Sequence, residues 1–299
     1  MKNLRNKLRH IDFAPIIMII PAGLILLCVI LYPIINAVNM SFQFNVISRW
    51  KELRYIGFEN YIKILNDPAF HTALLNSLKW VFVTVPSQLI IGLILALLLN
   101  RNFKGRGLIR SICMIPWVTS GVVIALMWSW IYNANFGVLN DILIKLGIIK
   151  SSIAFLANSS TALNSQIIVM IWQGIPFFTV MLLASMQSIP LDLYEAADVA
   201  GANALQKFRY ITFPFIVPTI FITTLLRFIW VTNNVDIIYL MTQGGPGFSS
   251  LTLSVYAYMK AQKSMDFGYA SALAVYGTLF MSVLMIIYVR RLTGKGKAK

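Results

Sequence analysis

The run Ile189-Pro190-Leu191-Asp192-Leu193-Tyr194-Glu195-Ala196-Ala197-Asp198-Val199-Ala200-Gly201-Ala202-Asn203-Ala204-Leu205-Gln206-Lys207-Phe208-Arg209-Tyr210-Ile211-Thr212-Phe213-Pro214 decides the fold. Pro190 suits the first turn of a helix, and Asp192 and Glu195 favour that helix's positive end. Gly201 is the expected stop. A second short helix then carries Leu205, Phe208 and Ile211 on one stripe, with Lys207 and Arg209 nearer water. Pro214 opens the apolar stretch that follows. Residues 188–213 therefore predict a helix, a turn and a helix lying outside the apolar regions on either side. Small alanines on this segment leave room for another protein to approach closely.

Outward from this loop the chain is dominated by apolar runs, at about residues 15–42, 78–99, 109–132, 166–187, 214–234 and 268–289. Each is long enough to cross a hydrocarbon core of about 30 Å. Backbone groups in lipid must bond within their own segment, so these runs predict six transmembrane helices and not strands. The expected organisation is a basic tail (1–14), a first span (15–42), an outer loop (43–77), a core of five spans (78–290) and a second basic tail (291–299). Lys2, Arg5, Lys7 and Arg9 before the first span resemble the basic end of a signal peptide. The apolar run is too long for one and no small-residue cleavage site follows, so an uncleaved anchor is expected.

Composition agrees. Of 299 residues, 58% are hydrophobic and 12% charged, against about 25% charged in a soluble domain. An ordinary soluble enzyme and a disordered chain are both excluded. The formal charge of +15 comes from 25 Lys and Arg against 10 Asp and Glu. In a soluble protein that excess suggests nucleic acid; in a membrane protein it is a topology signal. Arg101, Lys104, Arg106 and Arg110 cluster at the second connection, Lys207 and Arg209 at the fourth, and Arg290, Arg291, Lys295, Lys297 and Lys299 at the C-terminus. This density places both termini in the cytoplasm. Arg49, Lys51, Arg54 and Lys63 in the first outer loop dilute the signal. Cys28 and Cys113 lie in apolar runs and imply neither a disulfide framework nor a metal site.

No Asp or Glu lies inside the spans away from their edges, so proton-coupled transport lacks its usual carboxylates. H-E-x-x-H, G-x-S-x-G and the phosphate-binding G-x-x-x-x-G-K-[ST] pattern are all absent. Transport by this chain must then draw energy from another subunit.

Glu195-Ala196-Ala197, Gly201-Ala202, Phe208, Ile211 and Pro214 resemble the E-A-A-x-x-x-G-A loop of binding-protein-dependent ABC importer permeases. Ala200 stands where that family often has Asp, and Phe213 where it often has Leu. Gly57-Phe58-Glu59-Asn60-Tyr61, Asp67-Pro68-Ala69-Phe70, Asn76-Ser77 and Met241-Thr242-Gln243-Gly244-Gly245-Pro246 are similar to segments of the maltose-type carbohydrate permeases. The resemblance implies an all-α, six-helix permease fold with a cytoplasmic coupling-helix loop, carbohydrate import, and no chemistry in this chain. It implies that Glu195, Ala196, Ala197, Gly201, Ala202, Phe208 and Pro214 dock on an ATPase subunit. The implied partners are two ATPase subunits that bind ATP and Mg, a second, related permease in a heterodimer, and an extracellular solute-binding protein. The implied location is a bacterial or archaeal cell membrane.

Candidate substrate-path groups come from the spans. Thr219, Thr223, Arg227, Trp230 and Asn234 fall on one face of the fifth. Arg227 near the bilayer centre must meet a wet cavity or backbone carbonyls, because lipid exposure costs about 2.5–3.5 kcal/mol. Trp230, Asn233 and Asn234 offer the aromatic and polar surfaces that sugars need. Gln173 in the fourth span is either a helix–helix hydrogen bond or a cavity group. Gly244, Gly245 and Pro246 read as a tight connector or as an outer loop shaping the translocation mouth. Trp128, Trp130 and Tyr132 are expected as interfacial anchors. Import of a glycerol-phosphate-like anion, and a channel without energy coupling, are the alternative readings.

Overall fold

The computed structural model describes residues 14–295, with side-chain surroundings for 18–290. The two basic tails fall largely outside this range. The first span is α1 (Ala14–Ile25) and α2 (Tyr32–Ser41), joined without a break by a π-helical turn, Leu26–Leu31. A ribbon of β1 (Gln43–Phe44) and β2 (Arg54–Tyr55) follows, with a 3-10 segment, Ile47–Glu52, between the strands. After α3 (Glu59–Leu65), α4 (Pro68–Asn100) starts well before residue 78, the expected limit of the second span. Its start has a local cause: Asp67 caps it by accepting the Ala69 N–H at 2.9 Å, and Pro68 fills a first-turn position where no donor is needed.

The third span is a correction. The uninterrupted apolar run 109–132 does not form one helix. It divides into α5 (Arg106–Val118) and α6 (Gly121–Ile131), bent 97° from each other. At 13 and 11 residues, the pieces are about 20 and 16 Å long, and neither crosses the membrane alone. The break falls at Thr119-Ser120, where both residues are extended. Pro116 has already removed one backbone donor, and the Thr119 hydroxyl turns back to the Ile115 carbonyl at 2.7 Å. Apolarity hid a break made by Pro, Thr, Ser and Gly in six residues, 116–121.

The rest of the chain is α7 (Val138–Lys145), α8 (Ala162–Gln187), α9 (Leu191–Val199), α10 (Ala204–Lys207), α11 (Phe213–Thr232), α12 (Asp236–Thr242), α13 (Leu253–Gln262) and α14 (Phe267–Lys295). Among the described residues, five helices are long and apolar enough to span a membrane, and the bent α5–α6 pair makes a sixth crossing if counted as one span. The α4–α8 pair forms the centre, with α11 laid across both and α13–α14 on the outer flank. Trp80, Phe178, Leu182 and Ile216 are fully buried between them, and the Trp80 indole donates to the Val231 carbonyl at 2.9 Å. No residue of Met18–Met40 is buried, so the first span presents its apolar side chains outward, and only Ser41 at its end is buried.

A second correction concerns the loop after α8. The expected second short helix is not separate. α10 continues through a π turn, Phe208–Thr212, directly into α11. Nothing between Lys207 and Pro214 breaks a helix, and Pro214 sits in the first turn of α11, where its missing donor is tolerated. The Leu205–Phe208–Ile211 stripe is correspondingly not one covered face: Leu205 is 73% exposed, whereas Phe208 packs on Phe213.

Candidate functional site

The loop 188–213 is tightly specified. Pro190 is the residue just before α9 rather than in its first turn. Gly201 has φ +74. Its N–H bonds the Asp198 carbonyl at 3.0 Å and the Ala202 N–H bonds the Ala197 carbonyl at 2.9 Å. These two bonds are a Schellman termination, which requires the left-handed residue that glycine supplies. Asn203 and Gln206 then form a reciprocal capping box at 2.9 and 2.7 Å, a signal written in the spacing N-x-x-Q. Lys207 pairs with Asp198 across the turn, and Tyr194 hydrogen-bonds Thr212 at 2.8 Å. The outcome is a rigid helical corner with exposed apolar side chains: Val199 (92%), Leu191 (73%) and Tyr210 (71%). Glu195 and Ala196 occupy α9, and no hydrogen bond or ion pair within the described residues engages the Glu195 carboxylate.

The predicted face of α11 divides in two. Thr219 reaches Ser185 on α8 at 3.0 Å, Thr223 is fully buried, and Arg227 is only 5% exposed. Arg227 Nε donates to Gln88 Oε1 on α4 at 2.9 Å, and Gln88 in turn donates to the Met170 carbonyl on α8. A Cβ on Gly174 would lie 2.2 Å from Gln88 Nε2 and 2.3 Å from Arg227 Nη2, so glycine opens the notch that both side chains fill. Arg227 therefore joins α4, α8 and α11 inside the bundle. Gln173 lies beside this knot with its Oε1 buried and unbonded. Trp230 packs edge-on against Phe177 at 5.1 Å, and Asn234 receives the Ile237 N–H at the start of α12.

The other face of α11 lines a cavity. Phe228, Ile229, Thr232 and Asn233 meet Ser254 and Tyr258 of α13 and Thr278, Met281 and Ser282 of α14 around a space of about 520 Å³. Of the five residues expected in the substrate path, Asn233 alone lines it. Asn233 donates to the Ile229 carbonyl at 2.9 Å, which leaves its own Oδ1 available. The hydroxyls of Thr278, Ser282 and Tyr258 make no hydrogen bond within the described residues. Apolar walls with a few uncommitted polar groups are what a small-molecule site requires. The α14 contribution was legible: Ala274, Thr278 and Ser282 recur every four residues in an otherwise apolar span.

Away from the loop, Gly244-Gly245-Pro246 is a buttressed turn. Gly244 has φ +82, and a Cβ there would lie 2.6 Å from Leu251. The Asn76 amide at the head of α4 is within 3.0–3.2 Å of the carbonyls of Phe248, Ser249 and Leu251. Thr242 is bonded by both Gln166 and Ser250 at 2.8 Å. Nearby, Asp67 accepts from Tyr256 and from Tyr269, the latter at 2.7 Å, and Lys260 lies over both rings. Partial burial pushes the Asp67 pKa up, but the two tyrosine bonds, the Ala69 N–H and Lys260 outweigh it and hold it below the ordinary carboxylate value. Of the expected aromatic anchors, only Trp130 stands out at 69% exposure; Tyr132 is buried, bonded to the Ser165 carbonyl, with Trp128 against it. Burial removes Tyr132 from an interfacial role, while Trp128 is half-buried.

Comparison with known proteins follows the same outline. Residues 88–292 match the family described as binding-protein-dependent transport system inner membrane component. The chain is 34% identical over 275 residues to the sulfoquinovosyl glycerol transport system permease protein SmoG of Agrobacterium fabrum, covering 92% of this chain and 89% of that protein. It is 32% identical over 289 residues to the trehalose/maltose transport system permease protein MalF of Thermococcus litoralis, covering 96% and 97%. The structure superposes with a TM-score of 0.83, at 23% identity and full coverage of both chains, on a chain of a bacterial ABC transporter involved in alginate import. A second alginate transporter structure, bound to its periplasmic protein with an alginate pentasaccharide, gives 0.80 at 25% identity over 94% of this chain and 96% of that one.

Proposed function

This chain belongs to the binding-protein-dependent transport system inner membrane components, and from that premise we propose that it imports a sugar or oligosaccharide. As a family member it is a multi-pass ABC transporter permease, a transport component and not an enzyme. In our reading it forms half of a translocation path with a second, related permease. Two ATPase subunits bind ATP and Mg and dock at 188–213 through Glu195, Ala196, Ala197, Gly201, Ala202, Phe208 and Pro214. An extracellular solute-binding protein delivers substrate on the opposite side, and both termini are cytoplasmic.

One observation carries the proposal: α10 and α11 form an unbroken helical run from the corner at Gly201 to the cavity at Asn233. A displacement of the corner is transmitted along this rod to the groups that face the cavity. The cavity lining holds hydroxyls, an amide and aromatic rings but no Lys or Arg, which suits neutral sugar hydroxyls. The anion alternative drew on Arg227 and on the low acid content; Arg227 is buried against Gln88 and is not part of the cavity lining.

The test is transport by the complete complex in proteoliposomes. Asn233→Ala and Thr278→Val should each raise the KM for uptake about five- to tenfold, as expected for loss of one hydrogen bond worth about 1 kcal/mol. Hydrolysis stimulated by the loaded binding protein should persist. Unchanged uptake in both variants, at equal reconstitution, overturns the cavity assignment.

A further inference from the structure

The ribbon between the first span and α3 is basic and aromatic, and neither the permease fold nor the coupling reading uses it. Arg49, Lys51 and Arg54 lie within residues 43–58, where Glu52 is the single acid. Phe44 and Arg54 are directly paired across the ribbon. The guanidinium carbons of Arg54 and Arg49 lie 5.7 and 6.0 Å from the centroid of the same Phe44 ring. Lys51 lies 5.7 Å from the Trp50 ring. Among the described residues none of these three cations has a carboxylate partner. Two guanidiniums gathered on one ring repel each other, and a shared anion relieves that repulsion.

The apolar side chains here point away from the protein. Trp50 and Tyr55 are each 71% exposed, Leu53 57% and Ile47 52%. The ribbon is also fixed in height. It starts just after Ser41, the buried last residue of a first span that is otherwise unburied. The Ile47 N–H bonds the Met265 carbonyl at 3.0 Å, and the Phe267 N–H, at the start of the last span, bonds the Asn45 carbonyl at 2.8 Å. Asn60 ties both Ser41 and Gln43 at 3.0 and 2.9 Å. A Cβ on Gly268 would lie 2.2 Å from the Gln43 carbonyl, so glycine permits the close seat. Two spans thus leave the apolar region where the ribbon sits, the level of the lipid headgroups. Exposed Trp and Tyr with unpaired cations at that level are the chemistry of the membrane interface.

We propose that residues 43–55 form a headgroup site for an anionic phospholipid. Arg49 and Arg54 hold the phosphodiester, Lys51 adds charge, and Trp50, Tyr55, Leu53 and Ile47 enter the interfacial layer. Guanidinium forks match phosphate oxygens in pairs, and the three cations together disfavour a headgroup that brings its own quaternary ammonium, so the site selects a lipid of net negative charge. The site also accounts for the basic residues that dilute the topology signal of the first outer loop: they answer to lipid charge.

The experiment uses the complete transporter in nanodiscs of zwitterionic phosphatidylcholine containing a minor fraction of either brominated phosphatidylglycerol or brominated phosphatidylcholine. The Trp50 contribution is the wild-type fluorescence minus that of Trp50→Phe. Brominated phosphatidylglycerol should quench this component as strongly as about a tenfold higher fraction of brominated phosphatidylcholine. Arg49→Gln/Lys51→Gln/Arg54→Gln should equalise the two lipids, and Arg49→Lys/Arg54→Lys should largely keep the preference. Millimolar inorganic phosphate should not displace the lipid. Equal quenching by both lipids, no Trp50 component, or a preference surviving in the triple Gln variant overturns the site. Displacement by phosphate overturns it in favour of a free-anion site. A triple variant with weakened capture of the solute-binding protein and unaltered lipid preference assigns the surface to that protein instead.

Discussion

Substitution of Gly201 separates backbone strain from bulk in the corner between α9 and α10. Its φ is +74, and a Cβ built there meets nothing within 4 Å. Within this chain the cost of a side chain is therefore conformational. For an ordinary L-residue it is about 1–2 kcal/mol, less for Asn, whose short polar side chain tolerates the left-handed region, and more for a β-branched residue. At 1.4 kcal/mol per factor of ten, Gly201→Ala should lower the population of the closed corner, relative to opened forms, by about 5- to 30-fold. The two Schellman bonds, the Asn203–Gln206 box and the Lys207–Asp198 pair all depend on that closure. Retention of the ATPase during purification, together with limited proteolysis across 188–213, should rank the variants Gly, Asn, Ala, Val. If bulk against the docked ATPase is decisive instead, Ala will outperform the larger Asn. That reversed order, or full coupling in all three variants, refutes the strain argument.

Other outcomes can be measured directly. Arg227→Leu should lower the melting temperature in detergent, because Gln88 Oε1 is left buried without its donor at a cost of about 1–3 kcal/mol. Gln88→Leu/Arg227→Leu should recover much of that loss, since the double change also removes the amide left without its donor; a double variant that melts no higher than the single one contradicts this account. The Asp67 bonds stabilise the head of α4 in a pH-dependent way. Because its folded pKa lies below the ordinary 3.8, the stabilisation is fully present above that value and is lost as pH falls through the lower folded value. Asp67→Asn should therefore lower the melting temperature at neutral pH and flatten the decline at acid pH; an acid limb identical to wild type refutes the assignment.

The sequence by itself determined how many apolar segments there are and that the first helix of the loop after the fourth one stops at Gly201. Both are local properties. A span needs only enough consecutive apolar residues, and the stop at Gly201 is written in one residue type, because glycine takes the left-handed φ of +74 that ends the helix. It did not reveal that the third apolar run bends by 97°, because hydropathy sums side chains whereas the bend follows from the backbone donor missing at Pro116 and the extended backbone at Thr119 and Ser120. The orientation of α11 was settled only by tertiary packing. Helical periodicity grouped Thr219, Thr223, Arg227, Trp230 and Asn234 on one face, although α11 ends at Thr232 and leaves Asn234 outside it, and a single helix does not specify which face meets its neighbours. Gln88 lies 139 residues from Arg227 along the chain, and the notch at Gly174 belongs to a third helix. Only when the three came together could Arg227 turn inward, where an amide relieves part of its desolvation, and leave Asn233 to face the cavity.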